Sequence, residues 1–223
     1  MSTRLKFLTS TVGTKILIAV TGLALFLFLC GHLAGNLLLF AGPEAFNGYS
    51  HKLISNPFIY VVEAGLVAIF LLHVFNAVTN WWSNRGARTT GYQVKEWAGH
   101  TSRKSVASTT MIVTGGVTLV FVVLHLMTFK YGPWYETPEG IRDLYTLTIE
   151  IFQDPLYVAG YVVCMGLIFL HLRHGLSSTM QTLGVNHPRY NRYILMAGTL
   201  LAVVIGLGFA IIPVAIFFGG GRS

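Results

Sequence analysis

Four histidines of this 223-residue sequence fall inside long apolar segments, one in each of the first four such segments. An imidazole surrounded by hydrocarbon is costly, so a residue of this kind marks a functional site by default. Haem iron takes two axial nitrogens from opposite faces, and helix bundles supply such ligands from facing helices. The pattern therefore favours bis-histidine haem ligation. The four residues are His32, His73, His125 and His171.

The depth of each histidine in its segment predicts how the four residues pair. At a rise of about 1.5 Å per residue, His32 and His125 lie roughly 25 and 31 Å from the membrane side that holds the N-terminus. His73 and His171 each lie roughly 13 Å from that side. We therefore expect two layers, an outer pair of His32 with His125 and an inner pair of His73 with His171.

Small residues and one further histidine accompany these positions. Gly31 and Gly35 remove side chains beside His32, which leaves room for a flat and bulky group, although close helix packing would use glycines in the same way. His174 stands three residues after His171 on nearly the same helix face. Depth favours His171 as the inner ligand. His174 then contacts a haem propionate or a quinone, or it is the alternative ligand.

The elements that must position these residues are five apolar segments, each of about the 20 residues that a membrane-spanning helix needs. The composition is 53% hydrophobic and 10% charged, whereas soluble domains carry about 25% charged residues. We predict an all-α membrane protein with a single domain, 1–223, and five transmembrane helices, the first four of which form a haem-binding bundle. The predicted spans are 15–40, 58–82, 104–128, 155–180 and 191–218.

Charge and cysteine content exclude other classes of protein. The net charge of +7 would suit nucleic acid, but the basic residues lie in short loops beside apolar segments, so membrane topology explains them and we expect no nucleic-acid partner. Cys30 and Cys164 lie inside apolar segments and form no Cys-x-x-Cys-His motif. Neither a disulfide nor a covalently attached haem is therefore expected. The first apolar segment, 16–40, is also too long for the core of a signal peptide.

The lysines and arginines predict the orientation of the chain in the membrane. Eleven of the 15 lie in the N-terminal segment and in the loops after the second and fourth spans, and seven of the eight acidic residues lie on the opposite side. The positive-inside rule then places the N-terminus in the cytoplasm and the C-terminus outside. On the outer side, 138–152 fits either a short surface helix or an ordered loop.

Four segments of the sequence share a pattern with one known family. They are TGLALFLFLCGHLAGN at 21–36, AGPEAFNGY at 41–49, HLMTF at 125–129 and HLRHGLS at 171–177. This pattern resembles that of the cytochrome b558 anchor subunit of succinate dehydrogenase and fumarate reductase, the respiratory complex II enzymes of the tricarboxylic acid cycle. The resemblance extends over nearly the whole chain and is most specific in the first segment.

The resemblance implies a five-helix anchor in the bacterial inner membrane that holds two b haems. It implies a flavoprotein subunit and an iron–sulfur subunit on the cytoplasmic face, with succinate oxidised in a partner subunit and electrons passed through the haems to quinone, menaquinone by analogy. The haem ligands of the family fall on the four histidines in the pairs that depth predicts. Some members use an acid near the quinone on the outer side, and Glu63 is the candidate here. The alternative is that Glu63 only caps or anchors the second span near the interface. His174 departs from the pattern of the family.

Two other functions fit parts of the sequence. A di-haem anchor of a hydrogenase or formate dehydrogenase would also use buried histidines, but the glycine–histidine block of the first span does not resemble theirs. A transporter with a histidine proton relay would show buried acids and internal repeats. Glu63 is the only acid well inside a span, and no convincing repeat is evident in the sequence.

Overall fold

The computed structural model describes residues 10–87 and 105–219, which form helices joined by turns and loops, with no β-strand in these ranges. A 3₁₀ turn, Leu37–Ala41, follows the first helix. The helices are α1 (Thr11–Asn36), α2 (Pro43–Ile54), α3 (Ile59–Gly86), α4 (Val106–Thr109), α5 (Met111–Phe129), α6 (Leu144–Ile151), α7 (Pro155–Thr182) and α8 (Asn191–Gly219).

Five of these helices, namely α1, α3, α5, α7 and α8, are long and apolar enough to cross a membrane. This confirms the predicted all-α membrane fold and its five spans. The first helix begins at Thr11, four residues before the predicted start at 15, because the Ser10 side chain caps it by accepting a hydrogen bond from the Gly13 N–H. The third predicted span is divided at Thr110, and its first residue lies outside the described residues.

The spanning helices pack unevenly. α1, α3, α5 and α7 contact one another in a ring, and α8 packs against α7 and α1. The buried apolar core lies mainly where α1, α7 and α8 meet, with Phe26, Leu33 and Ile205 among its members. In contrast, α3 and α5 each bury a single residue, Asn76 and Thr114. Protein therefore covers less of α3 and α5 than of the other spanning helices.

Two short helices cover the end of the bundle that lies outside in the predicted topology. The sequence did not predict α2, which begins at Pro43 directly after Gly42, a glycine with a φ of 97°. A proline at the first helical position is pre-organised for a helix, and a positive φ suits glycine. The short surface helix considered for 138–152 is confirmed as α6, which starts only at Leu144 because the Asp143 side chain caps it.

Asn47 joins the two surface helices. It is 3% exposed, donates a hydrogen bond to Asp143 Oδ1 at 2.8 Å, and accepts one from the Tyr145 N–H at 2.9 Å. Partial burial alone would raise the pKa of Asp143, but hydrogen bonds from Asn47 and from Thr146 outweigh it and hold the pKa of that carboxyl below its ordinary value. The ionised carboxylate therefore fixes α6 against α2.

Candidate functional site

The outer pair of histidines is assembled by α1 and α5. The ring centroids of His32 and His125 are 5.8 Å apart, and their planes are nearly perpendicular at 89°. Phe28 stacks on His32 from the preceding turn, with centroids 5.3 Å apart, and Phe121 stacks on His125 in the same way at 5.7 Å. Each imidazole of this layer is thus held on one face by an aromatic ring of its own helix.

The inner pair is assembled by α3 and α7. The ring centroids of His73 and His171 are 6.5 Å apart, with an angle of 69° between the planes. Both rings are only partly buried. The structure therefore brings the four histidines together in the two pairs that their depths predicted.

The distance within each pair fits one shared iron atom. A metal–imidazole nitrogen bond is about 2 Å long, and the ring centre lies about 1 Å beyond the nitrogen, so two imidazoles on opposite faces of one iron have centres roughly 6 Å apart. The observed 5.8 Å and 6.5 Å lie on either side of that value. α5 borders both pairs, because it carries His125 of the outer pair and contacts His171 of the inner pair through Thr114.

The two layers are separated along the helix axes by about three turns. His73 lies against Thr21 and Gly22, which precede the outer His32 on α1 by 11 and 10 residues. His171 contacts α5 at the same distance before His125. Eleven residues of helix correspond to roughly 16 Å.

Each inner histidine contacts a threonine and a glycine of a neighbouring helix. Thr21 Oγ1 lies 3.1 Å from His73 Nδ1, and Thr114 Oγ1 lies 3.2 Å from His171 Nδ1. A Cβ atom added to Gly22 would stand 3.1 Å from His73 Cε1, and one added to Gly115 would stand 3.2 Å from the same atom of His171. The glycines permit this close approach.

These contacts show a short internal repeat, contrary to the expectation that the sequence has no convincing repeat. The motif Thr-Gly-x5-Phe-x3-His occupies 21–32 in α1 and 114–125 in α5. In both copies the threonine and glycine contact an inner histidine, and the phenylalanine stacks on the outer one. The signal was available in the sequence as a Thr-Gly pair at a fixed distance before each outer histidine.

The two glycines beside His32 have different surroundings. The position of a Cβ at Gly31 is open, with nothing within 4 Å, whereas a Cβ at Gly35 would lie 2.6 Å from Cε1 of the Tyr49 ring. Gly35 therefore provides the space in which a side chain of α2 packs on α1, a reason that differs from the haem packing expected from the sequence.

Tyr161 of α7 was not predicted as a site residue. Its hydroxyl lies 3.0 Å from His125 Nδ1, and its ring contacts Phe129 and Phe152, with ring centroids 6.3 and 5.0 Å apart. A tyrosine in an apolar segment usually packs in the core. Its position in the sequence alone therefore does not distinguish a core residue from a hydrogen-bond partner of a histidine.

His174 lies one turn beyond His171 on α7 and is partly buried. Its ring makes no hydrogen bond to the described residues, and no neighbouring threonine supports it as Thr114 supports His171. The neighbouring Arg173 has no ion pair within the same ranges. His171 is thus the histidine of this turn that faces His73.

Glu63 lies in the second turn of α3 and forms an ion pair with Lys130 at the end of α5. Both side chains are about two-fifths exposed, at 39% and 37%. Arg142 donates hydrogen bonds to the carbonyl oxygens of Phe129 and Lys130, which holds this end of α5. Lys130 follows His125 by five residues, so the ion pair lies roughly 8 Å beyond the outer layer along the helix axis.

The side chains available as ligands suit a metal whose equatorial ligands are supplied by a cofactor. Within 10–87 and 105–219, no three side chains of His, Cys, Asp or Glu gather to hold a bare metal ion. In the described part of the chain, the histidines of the apolar segments pair as His32 with His125 and His73 with His171. Haem iron needs two axial protein ligands, because the porphyrin supplies the other four nitrogens.

Comparison with known proteins finds a relative in sequence. Over 170 residues the chain is 28% identical to the succinate dehydrogenase cytochrome b558 subunit of Bacillus subtilis (strain 168), which covers 74% of this chain and 77% of that protein. The chain resembles that cytochrome b558 subunit. The comparison confirms the resemblance predicted from the sequence. No family model matches the chain, and no solved structure matches it.

Proposed function

We propose that the chain is the cytochrome b membrane subunit of a succinate dehydrogenase, a succinate:quinone oxidoreductase. The similarity to the Bacillus subtilis cytochrome b558 subunit and the five apolar helices support this role. Succinate is then oxidised in a partner subunit, and this chain connects that reaction to the membrane. The main observation behind the proposal is the presence of two histidine layers. Haem ligation by these layers would explain why a membrane anchor contains imidazoles within hydrocarbon.

The four histidines would hold two b haems. His32 and His125 would hold the outer haem, and His73 and His171 would hold the inner haem, at separations that fit one iron per pair. Bound haem b supplies one-electron chemistry. The protein contributes the ligands, their spacing and an apolar surrounding that excludes water.

The layers form a route across the membrane from a cytoplasmic iron–sulfur subunit to quinone, with menaquinone as the expected acceptor. The inner pair lies nearer the predicted cytoplasmic side and would receive electrons first. Quinone reduction takes up protons, so the acceptor site needs a titratable group close to hydrocarbon. Glu63, one to two turns beyond the outer layer, is the group that we propose for it.

Charge distribution supports the proposed orientation, with the N-terminus in the cytoplasm of a bacterium and the C-terminus outside. Eleven of the 15 lysines and arginines lie on the predicted inner side, and seven of the eight acids lie on the predicted outer side. Six of those eleven basic residues lie outside the described residues: Arg4, Lys6, Arg88, Lys95, Arg103 and Lys104. The flavoprotein and iron–sulfur subunits would bind on this basic inner side.

Haem content provides the first test of the proposal. The purified chain is expected to bind two non-covalent haems b in a low-spin, bis-histidine state, because two histidine pairs fit one iron each. A pyridine haemochrome assay measures the number, and acid–acetone extraction should release all of the haem. A ratio of one haem per chain, or none, would contradict the proposal. Haems that formate or hydrogen reduces and succinate does not would assign the chain to a different dehydrogenase.

The docking side provides a second test. In the native complex, an amine-reactive crosslinker should join the iron–sulfur subunit to inner-side lysines such as Lys15. Lys52 and Lys130 on the opposite side serve as matched controls, because both are exposed or half-exposed and should give no such crosslink. Crosslinks from the soluble subunits to the outer lysines would reverse the topology.

A further inference from the structure

The hydroxyl groups of Thr21 and Thr114 donate their protons in hydrogen bonds to backbone carbonyl oxygens. Thr21 Oγ1 lies 2.6 Å from the carbonyl oxygen of Leu17, and Thr114 Oγ1 lies 3.1 Å from that of Thr110. A carbonyl oxygen can only accept a hydrogen bond, so each hydroxyl donates to its own helix, as threonines in apolar helices commonly do. The oxygen of each hydroxyl is then left as an acceptor.

This arrangement determines the tautomer of the inner histidines. Since each threonine oxygen accepts, His73 and His171 donate from Nδ1 across 3.1 and 3.2 Å. The backbone carbonyls of Ile18 and Met111 are further acceptors beside these two rings. A neutral imidazole with its proton on Nδ1 has its lone pair on Nε2. Nε2 is then the nitrogen available to a metal. Histidines that bind metals almost always donate their other N–H to an acceptor, which fixes both the tautomer and the ring orientation.

We propose that Thr21 and Thr114 are positioning residues that hold His73 and His171 in the iron-binding tautomer and tune the electron density of both imidazoles. This inference rests on the proposed function, since it assigns a role toward the inner haem. It also explains the repeat, because α1 and α5 each provide an outer ligand and the acceptor for an inner one. Gly22 and Gly115 are part of the same arrangement, since a side chain at either position would crowd the imidazole ring of His73 or His171.

The outer histidines have different partners, since the hydroxyls of Thr21 and Thr114 contact the inner histidines. His125 Nδ1 lies 3.0 Å from the hydroxyl of Tyr161, whose proton is not bonded to any backbone carbonyl in the described ranges. The His32 ring lies 3.4 to 3.5 Å from Asn36 Nδ2, an amide nitrogen that donates to the His32 carbonyl at 2.8 Å. Removal of the threonine hydroxyls should therefore change the properties of the inner haem and leave those of the outer haem unchanged.

The expected effects follow from the loss of an acceptor. An acceptor on Nδ1–H makes the imidazole a stronger donor to iron and so stabilises the ferric state. Thr21→Val or Thr114→Val should therefore raise the midpoint potential of the inner haem. Loss of such a partner typically weakens metal binding about 10- to 100-fold, so the inner haem should also dissociate more readily.

The test uses the complete complex in membranes and after purification. Redox titration followed by optical and electron paramagnetic resonance spectra gives the two potentials and the two low-spin signals, and transfer of haem to apomyoglobin gives the dissociation rate. Comparison with His171→Ala identifies the signal of the inner haem. Thr118→Val is the matched control, because its hydroxyl lies one turn from Thr114 and bonds only to a backbone carbonyl, at 2.8 Å.

The inference is supported if both valine variants raise one and the same potential, and if Thr21→Ser and Thr114→Ser restore it. It is overturned if two haems bind and neither valine variant shifts a potential, a spectrum or a dissociation rate. It is also overturned if the shift occurs in the outer haem, or if Thr118→Val reproduces it. Absence of haem from the wild-type complex would instead contradict the proposed function, so the two failures are distinguishable.

Discussion

His171→Ala is expected to reduce the haem content of the complex from two to one and to abolish electron transfer from succinate to quinone. The imidazole of His171 faces that of His73 across 6.5 Å, and its Nδ1 is supported by Thr114. Without it, the inner iron would keep His73 as its one protein ligand, because His174 lies one turn away from the ring that faces His73. Haem quantification and the loss of one low-spin signal provide the measurement, and retention of the His32–His125 signal shows that the bundle has folded.

His174→Ala is the matched control on the same helix. Its ring makes no hydrogen bond in the described ranges and lies one turn from the inner pair. Both haems should remain, with at most a shift in the potential of the inner haem if His174 or Arg173 bonds a propionate. Loss of the inner haem in His174→Ala, with the haem retained in His171→Ala, would reverse the ligand assignment.

Glu63→Gln is expected to abolish quinone-linked turnover while both haems and succinate oxidation with an artificial acceptor remain. The amide keeps the shape of the side chain and removes its ability to exchange a proton. The carboxylate of Glu63 lies beyond the outer histidine layer in an ion pair with Lys130. The measurement is the ratio of quinone reductase activity to reduction of the artificial acceptor by the same sample.

Lys130→Gln separates the proposed proton-transfer role from a structural one. A half-exposed ion pair stabilises a protein by about 1 kcal/mol or less, so breaking it from either side should change the melting temperature little and equally. If Glu63 handles protons, its replacement should reduce quinone turnover far more than replacement of Lys130. Equal losses in the two variants would indicate an anchor between α3 and α5, and unchanged turnover in Glu63→Gln would remove it from the mechanism.

The spans and the pairing of the histidines were predictable from the sequence for simple physical reasons. A hydrocarbon layer demands long apolar helices, and a helix converts residue number into depth at a constant rise. These two facts were enough to place His32 level with His125 and His73 level with His171. The similarity to a cytochrome b558 subunit was also predictable, most specifically from the glycine–histidine block of the first span.

The supporting contacts were not predictable in the same way. A threonine in an apolar helix ordinarily bonds to its own backbone, so Thr21 and Thr114 look ordinary until the neighbouring helix is placed. The partners of Glu63 and Tyr161 depend on how α3, α5 and α7 rotate about their axes, which apolar segments with few polar residues do not specify. The short α2 escaped prediction because its residues are of mixed polarity and follow a glycine–proline turn.

The repeated motif links the two histidine layers through the same two helices. α1 and α5 each place a histidine in one layer and a threonine–glycine pair in the other, about three turns away. A rigid helix that tilts at one end must move at the other, so a disturbance near the outer surface reaches the contacts of the inner histidines without any intermediate residue. The same linkage constrains biogenesis, since neither layer is complete until both halves of the chain have been inserted and paired.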